Sequence, residues 1–593
     1  MRFTAMLELL SMSGWIENKL SRRREAILYV VVGVIGAALR LYELDNVPMS
    51  ETEAAAALSA LQLVGNDGEM FFSGRLPLSP LLHTLQAGTF WISGTATASL
   101  ARLWPALAGG VLVVGLPMLL RRQIGRGASL LCLLFLAISP AAWAVSRTGD
   151  SMTLAWLCGL TMAYGWQLFS VNLERRGLTL AAVALGAGLA AGPQFVSVLF
   201  LGAVFFVVRQ RSVRRWWTLL APELPKAAQE AAVSFLLCAT ACLIYPLGLA
   251  AAGESWFTWL SNWLPAGGQR PNLLIMSLVM LHEPVSVLLG ISGIYLLMRG
   301  EVMAKGLFIL AGLGLLFGVV YGGRQSGDIL WVLVPVTVLA AIVVDKAWNG
   351  AMVGRELFIV YWQVAALSML AGFGYVIIAA FASGRSAQWL AVGWDAALQI
   401  SILLILGVLV VLLFATVWTR SLAWSGMVTA MVIVLLGWSA HSRALLVGGQ
   451  TDDGLDIWYG EKTSSSADIM LESLADISLR YLGSRRDLQI AVLGEPDAKL
   501  AWLLREYPNL EWIHTGPKGL TSPVVIGRGG ASAVAPGANY LGQEFGYNVY
   551  RHGSPSDSIG WAKYLLFRRG PVGQTRLVLW VREDVQLAIG TAG

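Results

Sequence analysis

The stretch "LRLYELDNVPMSETEAAAAL", Leu39 to Leu58, decides how the rest of the chain is read. An apolar run closes on Arg40, a short acidic segment follows, and an alanine-rich run begins behind Glu51 and Glu53. Ser50-x-x-Glu53 is a capping box: the serine oxygen and the glutamate side chain satisfy orphan N–H groups of a first helical turn. Two carboxylates where a chain leaves an apolar run are also candidates for acid–base chemistry. One glutamate can cap and react, so the choice falls to its surroundings.

Those surroundings are a membrane protein. Of 593 residues, 56% are hydrophobic and 13% charged, and a mean hydropathy of +0.65 is far above that of soluble domains. Cys132, Cys158, Cys238 and Cys242 lie inside apolar runs, without metal-ligand spacing or a disulfide framework. The formal charge of +6 reflects arginine-rich loops that set orientation. Basic and aromatic residues do not interleave as nucleic-acid binding requires, so nucleic acid is not expected as a partner. Residues 1–25 carry their basic cluster after a weakly amphipathic stretch and lack a cleavage site, which predicts a cytoplasmic interfacial segment rather than a cleaved signal.

A crossing helix needs about 20 apolar residues. Thirteen spans are predicted, near 26–41, 101–120, 128–146, 150–171, 178–192, 194–209, 229–250, 284–299, 306–321, 328–345, 356–381, 395–417 and 421–441. Basic clusters at Arg22–Arg24, Arg121–Arg126, Arg175–Arg176 and Arg209–Arg215 belong on the cytoplasmic side. The expected architecture is a polytopic helical membrane domain, 26–447, in the cytoplasmic membrane, with the N-terminus inside. A soluble α/β domain, 448–593, follows outside.

The outer turns hold the chemistry-bearing residues. Residues 42–100 form a long first loop with Glu51, Glu53, Arg75 and His83, whose segment "GRLPLSPLLHTLQAGTFWISG" suits helices lying in the interface. "SRTGDS" brings Arg147 and Asp150, the aromatic segment after the seventh span brings Arg270, His282 and Glu283, and "YGGRQSGD" brings Arg324. Isolated arginines on one side suit bidentate binding of phosphate or carboxylate, although any one of them also fits a helix end from which it snorkels. His282 and Glu283 before Pro284 also read as a helix start. From about Gly448 the composition is that of a soluble domain, with "TSSSAD" as a helix start and "DLQIAVLG", "SPVVIG" and "TRLVLWVRED" as strands.

Three stretches, "LRLYELDNVPMSETEAAAAL", "ARLWPALAGGVLVVGLPMLLRRQIG" and "ISPAAWAVSRTGDSMTLAW", together resemble the opening half of the C-type membrane glycosyltransferase superfamily. The likeness is to the family 39 protein mannosyltransferase-like proteins and the lipid A aminoarabinose transferases; "YGGRQSGDILWVLVPVTVLAAIVVDK" is similar to a late span of bacterial members. The resemblance implies a sugar donor on a polyprenyl phosphate, a catalytic acidic pair in the first outer loop, and cationic groups on the lipid phosphate. By position Glu53 matches the glutamate of that pair, with Thr52 where the aspartate stands, and Glu51 is the nearest substitute. Asp150 matches a second acidic position, and Arg324 is the candidate for phosphate.

The expected function is transfer of a sugar from a polyprenyl-phosphate donor to a lipid, glycan or protein acceptor on the outer face. The catalytic candidates are Glu53, Glu51 and Asp150. The substrate-binding candidates are Arg147, Arg324, Arg270, Arg75, His83, His282 and Glu283. No metal ligand set is expected and no cofactor is specified, though a divalent metal is compatible with the chemistry. The alternative is a catalytically silent relative that binds lipid-linked glycan within an assembly or export complex, which Thr52 favours. A transporter is the third reading, against which stands the lack of inverted repeats and of acidic residues or lysine buried mid-span.

Overall fold

The structure is a computed structural model that describes residues 22–47, 49–65, 76–209, 220–264, 271–349, 356–384, 394–448, 454–513, 521–529, 539–553 and 557–591. Arg75 and Arg270 lie outside these residues, as does most of the predicted cytoplasmic segment. The chain divides into two compact units. A helical unit takes residues 1–44, 78–85 and 102–446; a loop-and-sheet unit takes 45–77, 86–101 and 447–593.

Among the described residues, six helices are long and apolar enough to cross a membrane, or up to eight when each of two bent pairs counts as one span. The protein is therefore an integral membrane protein, with a mostly helical body and a C-terminal sheet. The helix Leu330–Asn349 lies at the centre of the helical unit, where Val338, Leu339, Ala340 and Ala341 pack against Leu131, Cys132 and Leu133 of the helix Arg126–Ile138. Its span from Ser326 is 89% buried, whereas none of the span Ala396–Val417 is. An apolar helix left this exposed is stable against lipid and not against water. The helices Met152–Asn172 and Arg175–Leu189 pack backbone to backbone: a Cβ on Gly165 would come within 2.5 Å of the Gly177 carbonyl oxygen.

Both bent pairs break at a proline. Arg126–Ile138 and Pro140–Ser146 meet at 62°, and Leu274–His282 and Pro284–Met298 at 92°, because proline cannot bond back into the preceding turn but suits a new N-terminus. The stretch predicted as one span over 229–250 is instead two elements. Helix Leu224–Ala239 ends in a turn with positive φ at Ala241, Cys242 and Leu243, and a second helix runs Gly248–Ser261. Hydropathy is blind to this turn because its residues are themselves apolar.

The loop-and-sheet unit carries a six-stranded sheet: β1 Glu461–Thr463, β2 Ile490–Leu493, β3 Leu510–Ile513, β4 Val524–Arg528, β5 Tyr540–Arg551 and β6 Val572–Arg582, in spatial order β1-β5-β6-β4-β2-β3. β2 runs parallel to β3 and β4, and β6 is antiparallel to β4 and β5. Helix Ser465–Leu482 starts at Ser464, whose hydroxyl accepts from the Ser466 N–H, and ends at Gly483 in the left-handed conformation. Its Met470 and Leu474 close over Ile490, Val524 and Leu579 to form the domain core. The outer-loop helix Glu51–Gly65 packs in the same unit, with Ala54, Ala57 and Ala60 fully buried alongside Ala501 and Trp502.

Candidate functional site

Within the helical unit, three polar turns are joined by side-chain hydrogen bonds. Ser151 Oγ donates to Gln194 Oε1 at 2.8 Å and Gln194 Nε2 donates to Gln325 Oε1 at 3.2 Å. This relay links the turn 147–151, the connection between the helices Arg175–Leu189 and Pro193–Arg209, and the turn 322–328. Asp150 is half-buried, and its carboxylate accepts from the Met152 N–H at 2.9 Å and the Thr148 hydroxyl at 3.1 Å. Asp328 closes the turn after Arg324 by accepting the Gln325 N–H at 2.7 Å.

The arginines of this region, Arg40, Arg147 and Arg324 buried and Arg443 half-buried, are spread over helix ends. Arg324 donates to the carbonyls of Gly318 and Val319, closing the helix Val302–Val320. Arg147 donates to the carbonyls of Arg40, Tyr42 and Glu43 and lies 4.5 Å from the Trp143 ring centre. Arg443 faces the same ring at 5.8 Å and donates to the carbonyls of Ala137 and Ile138. Arg40 is fully buried and donates to Gly36 and Leu136 carbonyls. Helix C-termini carry partial negative charge, so these contacts hold each guanidinium without cancelling its full charge. The result is a positive region around Trp143 in which Glu283 is the acidic group that acts on Arg443.

Glu283 sits in the break of one bent pair and binds the break of the other. Its Oε1 accepts from Ser139 Oγ at 2.5 Å and from the Ala141 N–H at 3.3 Å, and its Oε2 accepts from Ser286 Oγ at 2.7 Å. His282 is buried with Nδ1 2.8 Å from Ser442 Oγ. His83 is buried with its ring 5.2 Å from that of Tyr245. His282 closes the helix Leu274–His282 and Glu283 stands ahead of the helix that Pro284 begins, but the Glu283 side chain makes no capping bond to that helix's N–H groups.

The two glutamates of the opening stretch belong to the loop-and-sheet unit. The capping box is present in both halves: Ser50 N–H donates to Glu53 Oε2 at 2.9 Å, and Glu53 N–H donates to Ser50 Oγ at 3.3 Å. Thr52 has its hydroxyl 3.1 Å from that of Ser50. Glu51 Oε1 accepts from the Ala498 N–H at 2.9 Å and its Oε2 from the Lys499 N–H at 3.2 Å, the first turn of helix Ala498–Leu503. Burial first, and then the neighbouring Asp497 carboxylate, raise the Glu51 carboxyl above its ordinary value, against the lowering effect of those two N–H groups. Among the described residues no group of three His, Cys, Asp or Glu side chains is placed to hold a metal ion.

With this geometry the chain was compared with known proteins. It matches the crystal structure of ArnT from Cupriavidus metallidurans bound to undecaprenyl phosphate with a TM-score of 0.56, at 15% identity, over 95% of this chain and 99% of that one. The chain shares the fold of this protein. The apo form of the same protein matches with a TM-score of 0.53, at 15% identity, over 93% and 97% of the two chains. The archaeal oligosaccharyltransferase AglB from Archaeoglobus fulgidus, in complex with an inhibitory peptide and a dolichol-phosphate, has a TM-score of 0.43 at 11% identity, over 85% of this chain and 69% of its own. No family model and no curated protein matches the sequence.

Sequence reasoning missed the uncharged members of the site. Gln194, Gln325, Ser139 and Ser442 carry the bonds between turns. A lone amide or hydroxyl has no periodicity to mark it in the sequence.

Proposed function

We propose that this protein is a membrane glycosyltransferase that takes a sugar from a polyprenyl-phosphate donor and passes it to a lipid, glycan or protein acceptor on the outer face of the cytoplasmic membrane. The reading has thirteen crossings, a cytoplasmic N-terminus, a transferase domain over 26–447 and an outer domain over 448–593. The observation that carries it is the joining of separate polar turns next to a buried arginine-rich region, within a fold shared over nearly the whole chain.

Transfer from a lipid phosphate needs a base for the acceptor oxygen and cations for the charge that develops on the leaving phosphate. In this reading Arg147 and Arg324 supply the cations, and Glu53 or Asp150 supplies the base. Glu51 holds the outer-loop helix to helix Ala498–Leu503 and so positions Glu53 two residues on. The binder reading also has a specific support, since Glu51 and Glu53 are both engaged at helix N-termini and Thr52 stands in place of the aspartate.

Purified protein in nanodiscs, given a panel of polyprenyl-phosphate sugars, separates the two. Transfer or donor hydrolysis that is lost in Glu53→Gln or Asp150→Asn, with donor binding kept, supports the transferase. Donor binding without turnover in the parent protein, weakened by Arg324→Ala, supports the binder.

A further inference from the structure

The first outer loop meets the sheet domain at two carboxyl groups that crowd one helix start. Asp497 caps the helix Ala498–Leu503, its Oδ1 accepting from the Lys499 N–H at 3.0 Å and the Leu500 N–H at 3.2 Å. Glu51, the first residue of the outer-loop helix, accepts from the Ala498 N–H at 2.9 Å and from that same Lys499 N–H at 3.2 Å. One N–H thus serves both side chains, and the two carboxyl groups are in turn hydrogen-bonded to each other. Ionised carboxylates only accept, so a bond between them exists only while one of them holds a proton.

The surrounding groups place that proton. The Tyr547 hydroxyl also engages Asp497, and Arg528 lies 3.9 Å from it. Asp497 therefore has two N–H groups, a phenol and a guanidinium beside it, whereas Glu51 has two N–H groups, one of them shared. The proton belongs on Glu51, in agreement with its carboxyl being raised first by burial and then by Asp497. Among the described residues the other nearby cations are already engaged. The Lys499 ammonium bonds Glu461 at 2.8 Å and Asn548 Oδ1 at 3.1 Å, and Arg576 pairs with Glu544 at 3.1 Å. Glu53 on the same helix and Glu495 ahead of Asp497 add negative charge rather than offset it. With Glu51 ionised, the carboxylates of Glu51, Asp497 and Glu461 outnumber the cations Lys499 and Arg528.

The rest of the junction does not titrate. Ala54, Ala57 and Ala60 share an apolar core with Ala87, Phe90, Ala101, Ala501 and Trp502, which brings no charge to the pair and holds the helix from Ala54 onward. Loss of the proton therefore acts on the first turn alone. Two anions then meet at the Lys499 N–H, and their repulsion parts Glu51 from the helix start that it caps. Thr52 and Glu53 lie in that same turn.

We propose that one proton held between Glu51 and Asp497 is a latch: it fastens the first turn of the outer-loop helix to the sheet domain, and the turn comes free when rising pH removes it. This goes beyond the transfer reaction, and it holds whether or not the chain transfers sugar. The test is hydrogen–deuterium exchange of the full-length protein in nanodiscs between about pH 4 and 8, each rate corrected for its intrinsic pH dependence. Protection of the Ala498 and Lys499 amides should fall by about fivefold as the pH rises, the population ratio set by two like charges about 4 Å apart in water. The amides of β2 and β4 should stay protected throughout. Glu51→Gln and Asp497→Asn keep the shape and an acceptor oxygen but cannot bring two charges to one N–H, so in each variant the two amides should be equally protected across the range. Either variant suffices if the other does not fold. Protection independent of pH in the parent, a parent-like dependence in a folded variant, or loss of protection in β2 and β4 at the same pH would each overturn the latch. A transfer assay reports on the proposed reaction separately, because it depends on Glu53 or Asp150.

Discussion

Glu53 is the residue at which a helix cap and a catalytic base make separable predictions. The carboxylate accepts the Ser50 N–H at 2.9 Å, and the reciprocal bond to Ser50 Oγ is longer, at 3.3 Å. Glutamine offers a carbonyl oxygen at the same reach and is itself a capping-box residue, so Glu53→Gln should move stability by less than about 0.5 kcal/mol. Alanine removes the acceptor and should cost about 1 kcal/mol, within the range for lost caps. For a unit of this size that is roughly 2–4 °C in melting temperature. A general base is worth about 10²–10⁴ in rate, or roughly 3–5 kcal/mol of barrier at 1.36 kcal/mol per decade. The two effects therefore appear in different variants and different assays. Thermal melts of purified parent, Glu53→Gln and Glu53→Ala proteins, run beside single-turnover transfer from a polyprenyl-phosphate sugar, read them together. The glutamine variant should melt with the parent and lose at least a hundredfold in rate. Transfer within about threefold of the parent in Glu53→Gln, with only the alanine variant melting early, would refute a catalytic role for this side chain.

Three further outcomes are expected. Glu283→Ala leaves the Ser139 and Ser286 hydroxyls and the Ala141 N–H without their acceptor and Arg443 without its facing acid, so it should destabilise the helical unit by about 3–5 kcal/mol, measured as loss of monodisperse protein and a lower melting temperature. The raised Glu51 carboxyl holds its proton more tightly in the folded than in the unfolded chain, so its stabilising contribution is present below the ordinary carboxylate range and is lost as pH rises through the raised value. Glu51→Gln should flatten that part of the melting-temperature profile, and an unchanged profile would show that Glu51 is not its source. Arg324→Lys supplies one ammonium in place of a fork that reaches both Gly318 and Val319 carbonyls; donor binding should fall by about tenfold or more, and binding equal to the parent's would remove Arg324 from the donor site.

The fold was legible where a strong periodicity or composition shift marked it. Long apolar runs lie on helices such as Val302–Val320 and Arg420–Gly448, and "DLQIAVLG" and "SPVVIG" lie on the two parallel strands β2 and β4. β5, "YLGQEFGYNVYR", escaped because two glycines and a bulge at Tyr547 break its alternation. The turn at Ala241–Leu243 escaped for the opposite reason, being too apolar to stand out from the helices beside it. Of the candidate site, the capping box and the turns with Arg147 and Arg324 could be named from local spacing. The pairing of Glu51 with the N–H groups of Ala498 and Lys499 could not, because it joins residues 447 and 448 positions apart.

The carboxylate that joins the two bent helix pairs also sets an order of events during synthesis. Ser139 leaves the ribosome 144 residues before Glu283, which at about 5–20 residues per second is roughly 7–30 s. Over that interval the break at Pro140 has neither its acceptor for the Ser139 hydroxyl nor its partner for the Ala141 N–H. The first bent helix is therefore finished by a later one, and its final angle belongs to assembly after insertion rather than to the insertion step itself. A lesion at Glu283 should accordingly show as an early helix pair that enters the membrane normally and fails to settle.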